Sequence, residues 1–259
     1  MLGLQVEVRT GDDRIHDALR AVAQRARHDA PPTARAAFAI DREGELLVVR
    51  EDGEEPIAEV AASAAAEHVG DRVRLRAIDD ADPPGLLTAA AGTVDDRRFL
   101  LLAEDRRALA HLAVRLSLDG VAIEGAHLVA LDDDGDVATL AEPFHLIGEP
   151  PAALAEVAAG IAPLAREGYV LRPFHPDPWH VGAGPVDAIL DVRLGVSADL
   201  RVAEIAHWEA ARAAGRHSVA RHPARLAAGL ARLAGAARVR RVDIPALADA
   251  RFALDRALR

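Results

Sequence analysis

Arg98-Phe99-Leu100-Leu101-Leu102, running without a break into Ala103-Glu104-Asp105-Arg106-Arg107-Ala108, decides the fold. Phe99 to Leu102 is an apolar run of strand length, and Leu109, Leu112, Ala113 and Leu116 then recur at the spacing of one helix face. A buried strand that feeds an amphipathic helix and returns to a further strand, Val121 to Ile123, is an α/β crossover. The turn between that strand and helix contains no glycine. Anion-binding loops point successive backbone N–H groups and a helix amino terminus at the ligand, and glycines let the backbone fold that tightly. Here Glu104 and Asp105 put two carboxylates at that place, suited to capping the helix themselves, an effect of about 1 kcal/mol. Arg106 and Arg107 are the candidate anion-binding groups that remain.

Downstream, Leu128 to Leu131 and Val137 to Leu140 read as strands joined by the acidic turn Asp132-Asp133-Asp134-Gly135-Asp136, a solvated hairpin tip without the spacing of an EF-hand loop. Pro151 opens a helix carrying Leu154, Val157, Ala158 and Ile161, since proline is tolerated where the N–H has no helical partner. Strands at Tyr169 to Arg172 and Val186 to Leu194 surround a loop. A helix with Ile205 and Trp208, a helix from Pro223 with Leu226, Leu230 and Leu233, a strand at Val239 to Ile244 and a last helix from Pro245 follow. Upstream, Leu4 to Val8 is a strand, and Ile15, Leu19, Val22 and Ala26 mark a helix that Pro31 and Pro32 end. Ala37 to Ile40 and Leu46 to Val49 form a hairpin about Asp41-Arg42-Glu43-Gly44. A helix from about Pro56 to His68 is expected from Ile57, Val60, Ala61 and Ala64. Asp79 to Gly85, rich in aspartate and proline, divides the chain into a small α+β module, residues 1–82, and an α/β domain, residues 83–259.

From about Leu86 onward the order of elements resembles the HPr kinase-like branch of the phosphate-loop proteins, including HPr-related kinases associated with peptide-modification genes. The resemblance rests on Leu86-Leu87-Thr88-Ala89-Ala90-Ala91-Gly92, on Arg98 to Leu102 with the helix after it, on Gly120-Val121-Ala122-Ile123-Glu124, and on Glu142-Pro143-Phe144-His145-Leu146. The tail, from Val186 to Leu194 through the Trp208 helix to Arg241-Val242-Asp243-Ile244, is similar as well. It implies an α/β fold, a phosphate-loop kinase-like mixed sheet with flanking helices. The family's chemistry is missing from the matching positions: Thr88 stands at the histidine of a Leu-His-Ala block, Ala103 to Ala108 replaces a glycine-rich loop ending in Gly-Lys-Ser or Gly-Lys-Thr, and Glu124-Gly125 replaces an acidic pair.

Composition supports that absence. All 31 basic residues are arginine, so no lysine can supply a phosphate-loop ammonium or a Schiff base, and without cysteine there is no thiolate nucleophile or cysteine-bound metal. A formal charge of −10 argues against a general nucleic-acid or anionic-membrane surface, Arg238, Arg240 and Arg241 being the densest basic patch. Met1 to Arg9 alternates apolar and charged residues, unlike a signal peptide, and no apolar run reaches membrane-helix length. A cytoplasmic protein is the expectation. Ser63, Ser117, Ser197 and Ser218 lie outside any Gly-x-Ser-x-Gly elbow, which argues against a serine hydrolase.

The most site-like segment is Arg172-Pro173-Phe174-His175-Pro176-Asp177-Pro178-Trp179-His180. His175, Asp177 and His180 are candidate metal ligands; His175 and His180, with Glu124 at a strand end beside His127, are candidate acid–base groups. Arg172, Phe174 and Trp179 are the candidate partner-binding groups, being side chains that dominate interface energetics. The bland alternative has the aromatics docking the loop on the core. The functional expectation is a catalytically degenerate kinase-like scaffold, without cofactor, that binds a protein or peptide partner such as a kinase-like paralogue or a peptide-modifying enzyme, in a homo- or hetero-oligomer. The alternative is an enzyme reusing the same cleft for non-ATP chemistry through histidine and carboxylate; a third class is a metabolite-binding or structural subunit.

Overall fold

The computed structural model describes residues 4–13, 15–17, 19–20, 34–44, 46–53, 56–61, 65–140, 142–166, 169–176 and 180–259. The chain forms two compact units, Met1–Asp82 and Pro83–Arg259. Both combine helices with sheets, and among the described residues no helix is long and apolar enough to cross a membrane.

The first unit holds a sheet in the order β1 (Leu4–Thr10), β2 (Ala34–Glu43), β3 (Leu46–Glu51), β4 (Pro56–Ala61), with α1 (Ala65–Ala81) against it. β1 runs parallel to β2, and the remaining pairs are antiparallel. Alternation along β2 buries Ala36, Phe38 and Ile40, which share a core with Leu4, Ile15, Leu47, Val49, Val69 and Ala77. Gly44 takes φ +67 in the β2–β3 turn, the conformation glycine was expected to supply. The helix expected from Pro56 to His68 is corrected: Pro56–Ala61 is a strand registered on β3, Leu47 facing Val60 and Val49 facing Ala58. The β-branched Ile57 and Val60 suit a strand, and the pairing of Pro56–Ala61, irregular between Val49 and Arg50, gives the backbone of β3 its second neighbour. α1 continues through Asp79, Asp80 and Ala81, so the break in the chain comes at Asp82 and not at Asp79. The expected positions Val22, Ala26, Pro31, Pro32 and Ala64 lie outside the described residues.

In the second unit, six strands stand in the order β16 (Arg201–Glu204), β18 (Arg238–Ile244), β15 (Ala188–Leu194), β7 (Arg97–Ala103), β6 (Ala90–Val94), β8 (Ala122–Gly125). β7, β15 and β18 are mutually parallel; β16, β6 and β8 join antiparallel. Period-two alternation splits the central strands between two cores. Phe99, Leu101, Leu190, Val192 and Val242 face α2 (Arg106–Leu118) and α6 (Ala250–Leu258). Leu100, Leu102, Ile189 and Val239 share the other core with α4 (His207–Arg216), α5 (Pro223–Ala236) and an antiparallel sheet. That sheet has the order β14 (Ala183–Gly184), β10 (Val137–Thr139), β9 (Leu128–Leu131), β5 (Gly85–Thr88), β17 (Ser218–Ala220). A third sheet, β11 (Phe144–Ile147), β13 (Tyr169–Phe174), β12 (Leu164–Arg166), contributes Phe144 and Leu146 to the α2 side.

The helix expected from Pro151 is shorter than its apolar spacing suggested. A 3₁₀ turn, Ala152–Leu154, leads into α3 (Ala155–Ala159), and Ile161 lies beyond it. The last helix likewise starts after a 3₁₀ turn, Leu247–Asp249. Arginines then close open carbonyls at helix ends, where no intrahelical donor exists. Arg97 donates to Leu258 O, Arg240 to Ala257 O at 2.7 Å, and Arg251 to Asp119 O at 3.3 Å.

Candidate functional site

Open α/β sheets bind ligands beyond the carboxyl ends of their parallel strands, which here means the edge where β7, β15 and β18 finish. β7 ends at Ala103, and the chain enters α2 through exposed Glu104 and Asp105. Asp105 takes the N-cap position, its carboxylate accepting the Ala108 N–H at 2.7 Å. Arg106 Nη2 lies 2.9 Å from His127 Nδ1, and Arg107 donates to the Glu149 carbonyl. Both arginines considered for anion binding therefore already hold groups of the fold.

Arg107 belongs to a set of three. The successive carbonyls of Ile147, Gly148 and Glu149, at the end of β11, take hydrogen bonds from His111, Arg172 (Nη1, 3.2 Å) and Arg107. Gly148, at φ +70, makes the bend that spreads these carbonyls. Burial, reinforced by the Arg107 charge, holds the His111 imidazole below its ordinary pKa, against smaller opposing effects from Asp105 and the Ile147 bond.

Two of the three expected partner-binding groups thus act inside the fold. Arg172 clasps Gly148, and Phe174 meets Phe144 with ring centroids 6.3 Å apart, tilted by 39°. Trp179 and the candidate ligand Asp177 lie outside the described residues. His175 and His180 are exposed at either side of that stretch. Among the described residues no group of three histidine or carboxylate side chains could hold a metal ion.

Glu124 and His127 were expected together at a strand end, but they serve different places. His127 belongs with Arg106 at the head of α2. Glu124, only 6 % exposed, accepts from Thr93 Oγ1 at 2.9 Å and from Arg98 Nε at 2.9 Å, and Arg98 also donates to the Gly184 carbonyl. Gly182 lies against this carboxylate so closely that a Cβ there would overlap Glu124 Oε2, while Gly182 N donates to Thr139 Oγ1 at 2.9 Å. A carboxylate with both oxygens committed is poorly placed to move protons.

The acidic turn is the solvent-exposed hairpin tip expected at Asp132, Asp133 and Asp134, and it is also tied down. Asp132 Oδ1 receives the N–H groups of Asp134 and Asp136, Asp133 pairs with Arg225 of α5 at 2.7 Å, and Arg232 donates to the Asp133 carbonyl. The Arg225 hydrogen bond draws the Asp133 carboxyl below its ordinary pKa, whereas burial and then Asp132 and Asp134 push Asp136 up.

Sequence reasoning missed a ladder of charges at the carboxyl edge. Asp191 is 7 % exposed and accepts from Arg241 Nε at 3.0 Å and Nη2 at 2.9 Å; one step on, Arg193 Nε donates to Asp243 at 2.9 Å. These are register partners on β15 and β18, on the face that carries Ile189 and Val239 further back. The signal was present as Asp191-Val192-Arg193 at the end of a strand that begins apolar, opposite the alternating Arg241-Val242-Asp243. In the first unit a cavity of about 310 Å³ is lined by Glu51, Asp52, Ile57, Arg72, Leu75, Arg76 and Asp79. Its arginines are likewise occupied, Arg72 on Glu51 at 3.0 Å and Arg76 on Glu51 at 3.1 Å. Neither a scan of protein-family models nor a search of curated proteins returns a match to this chain.

Proposed function

We propose that the second unit is a phosphate-loop kinase-like body without phosphoryl-transfer chemistry, serving to hold a protein or peptide partner, in keeping with the resemblance to HPr-related kinases of peptide-modification systems. The observation that carries this reading is the β7–α2 turn. Its carboxylate caps its own helix, its two arginines are bound to His127 and Glu149, and it has neither a lysine nor a glycine with which to cradle a triphosphate. The enzyme alternative is weakened because Glu124, its carboxylate, is sealed against Arg98 and Thr93.

The test has two arms. Calorimetry with ATP and magnesium should give no heat of binding, and a micromolar dissociation constant would overturn the loss of nucleotide function. Titration with the protein products encoded beside its own gene should give a complex that Trp179→Ala weakens by more than about 1 kcal/mol while His175→Ala leaves it unchanged. Loss of a turnover on His175→Ala or His180→Ala at unchanged affinity would instead make it an enzyme.

A further inference from the structure

We propose that His111 is a proton-operated latch between α2 and the β11-β13-β12 sheet. Its ring is 5 % exposed, it bonds the Ile147 backbone on β11, and among the described residues its Nε2 has no hydrogen-bond partner. A neutral imidazole meets that environment with one N–H for the carbonyl and one bare lone pair. An imidazolium carries a second N–H and a full charge into a buried place where, among the described residues, that N–H meets no acceptor.

The groups around the ring favour the neutral state. On α2, Arg107 repels a proton more than Asp105 attracts one, and burial acts in the same direction as Arg107. On the three-stranded sheet, Arg172 of β13 is held by the Gly148 carbonyl, while His145 of β11 stands between Phe144 and Leu146, which pack on the α2 side, and so lies on the opposite face of the strand. Glu149, just past β11, presents its carbonyl to Arg107. Charging the ring therefore strains the seam at all three clasped carbonyls. β13 pairs with β11 from Phe174 to Leu171, so the seam that His111 helps to close carries this whole strand pair. The direction in pH follows from linkage. The folded state holds His111 below the 6.5 of a free histidine, so the latch is fully closed above that value and opens as pH falls below it.

Hydrogen exchange measured at about pH 7.5 and about pH 5, corrected for intrinsic rates, tests this. In the wild type, peptides covering β11 and β13 should open at least about tenfold more often at the acid pH, with β15 and β18 unaffected. His111→Gln, which keeps a donor for Ile147 but cannot be charged, should abolish the acid response, and His145→Gln should preserve it. Equal acid opening in His111→Gln and wild type overturns the proposal, as does its loss in His145→Gln. Should His111→Gln fail to fold, an NMR titration of the wild-type ring decides: a midpoint below 6.5 that coincides with β11 opening supports the latch, and a midpoint at or above 6.5 sinks it.

Discussion

Glu124 is held by Arg98 and Thr93 where almost no solvent reaches it, so removing its charge leaves a buried guanidinium unanswered. Glu124→Gln should cost about 3 kcal/mol of stability by urea unfolding, and the double change Glu124→Leu with Arg98→Leu should recover part of that loss. An unchanged midpoint for Glu124→Gln would mean that the pair is already hydrated. Gly182→Ala tests the same spot from outside, because the added methyl has to displace the carboxylate; combined with Glu124→Gln its effect should be non-additive. None of this was legible from the residues. Glu124 was visible as a strand-end carboxylate, but Arg98 and Gly182 are remote in sequence; the pairing of β6 with β7 and β8 brings Arg98 to it, and the hydrogen bonds between Thr139 and Gly182 hold the glycine there.

At the scale of elements, the acidic turn between β9 and β10 depends on a glycine with φ +90 whose Cβ, if it had one, would stand 2.6 Å from Leu233 N. Gly135→Ala should therefore lift the turn off α5 and destabilise the unit by more than about 1 kcal/mol. Calorimetric melting checks it, and an unaltered melting temperature would show that the turn is not docked in solution. The sequence made the hairpin visible but not its dock, for Arg225 and Arg232 only find Asp133 once α5 crosses the sheet edge. Long periodic segments were readable for the same reason that this contact was not. β7, α2, α5 and β18 are set by local alternation, whereas β5, β14, β16 and β17 are short segments defined by neighbours far along the chain. β4 failed differently. Its apolar spacing fits a helix, and the need of β3 for a partner overrode it.

At the scale of the molecule, His68 in the first unit and His111 in the second, among the described residues, tie stability to pH. His68, lowered chiefly by burial and then by Arg72, and His111 are both held below 6.5 in the folded state. Each therefore costs nothing well above that value and withdraws stability as pH falls through it, since the unfolded chain binds the proton first. Melting temperature should decline from neutral pH toward about pH 5 and flatten in the double variant His68→Gln/His111→Gln; an equally steep decline in that variant would place the acid sensitivity elsewhere. The arginine clasps on Glu149, Gly148, Ala257, Leu258 and Asp119 have a consequence for how the protein yields to denaturants. Guanidinium chloride supplies in bulk the group that makes these joints, and as a salt it also screens the pairs at Asp191 and Asp243, while urea does neither. Guanidinium is ordinarily about twice as effective as urea per mole; for this chain its midpoint should fall below half the urea midpoint, and a ratio above one half would mean that relief of the −10 net repulsion outweighs the loss of the joints.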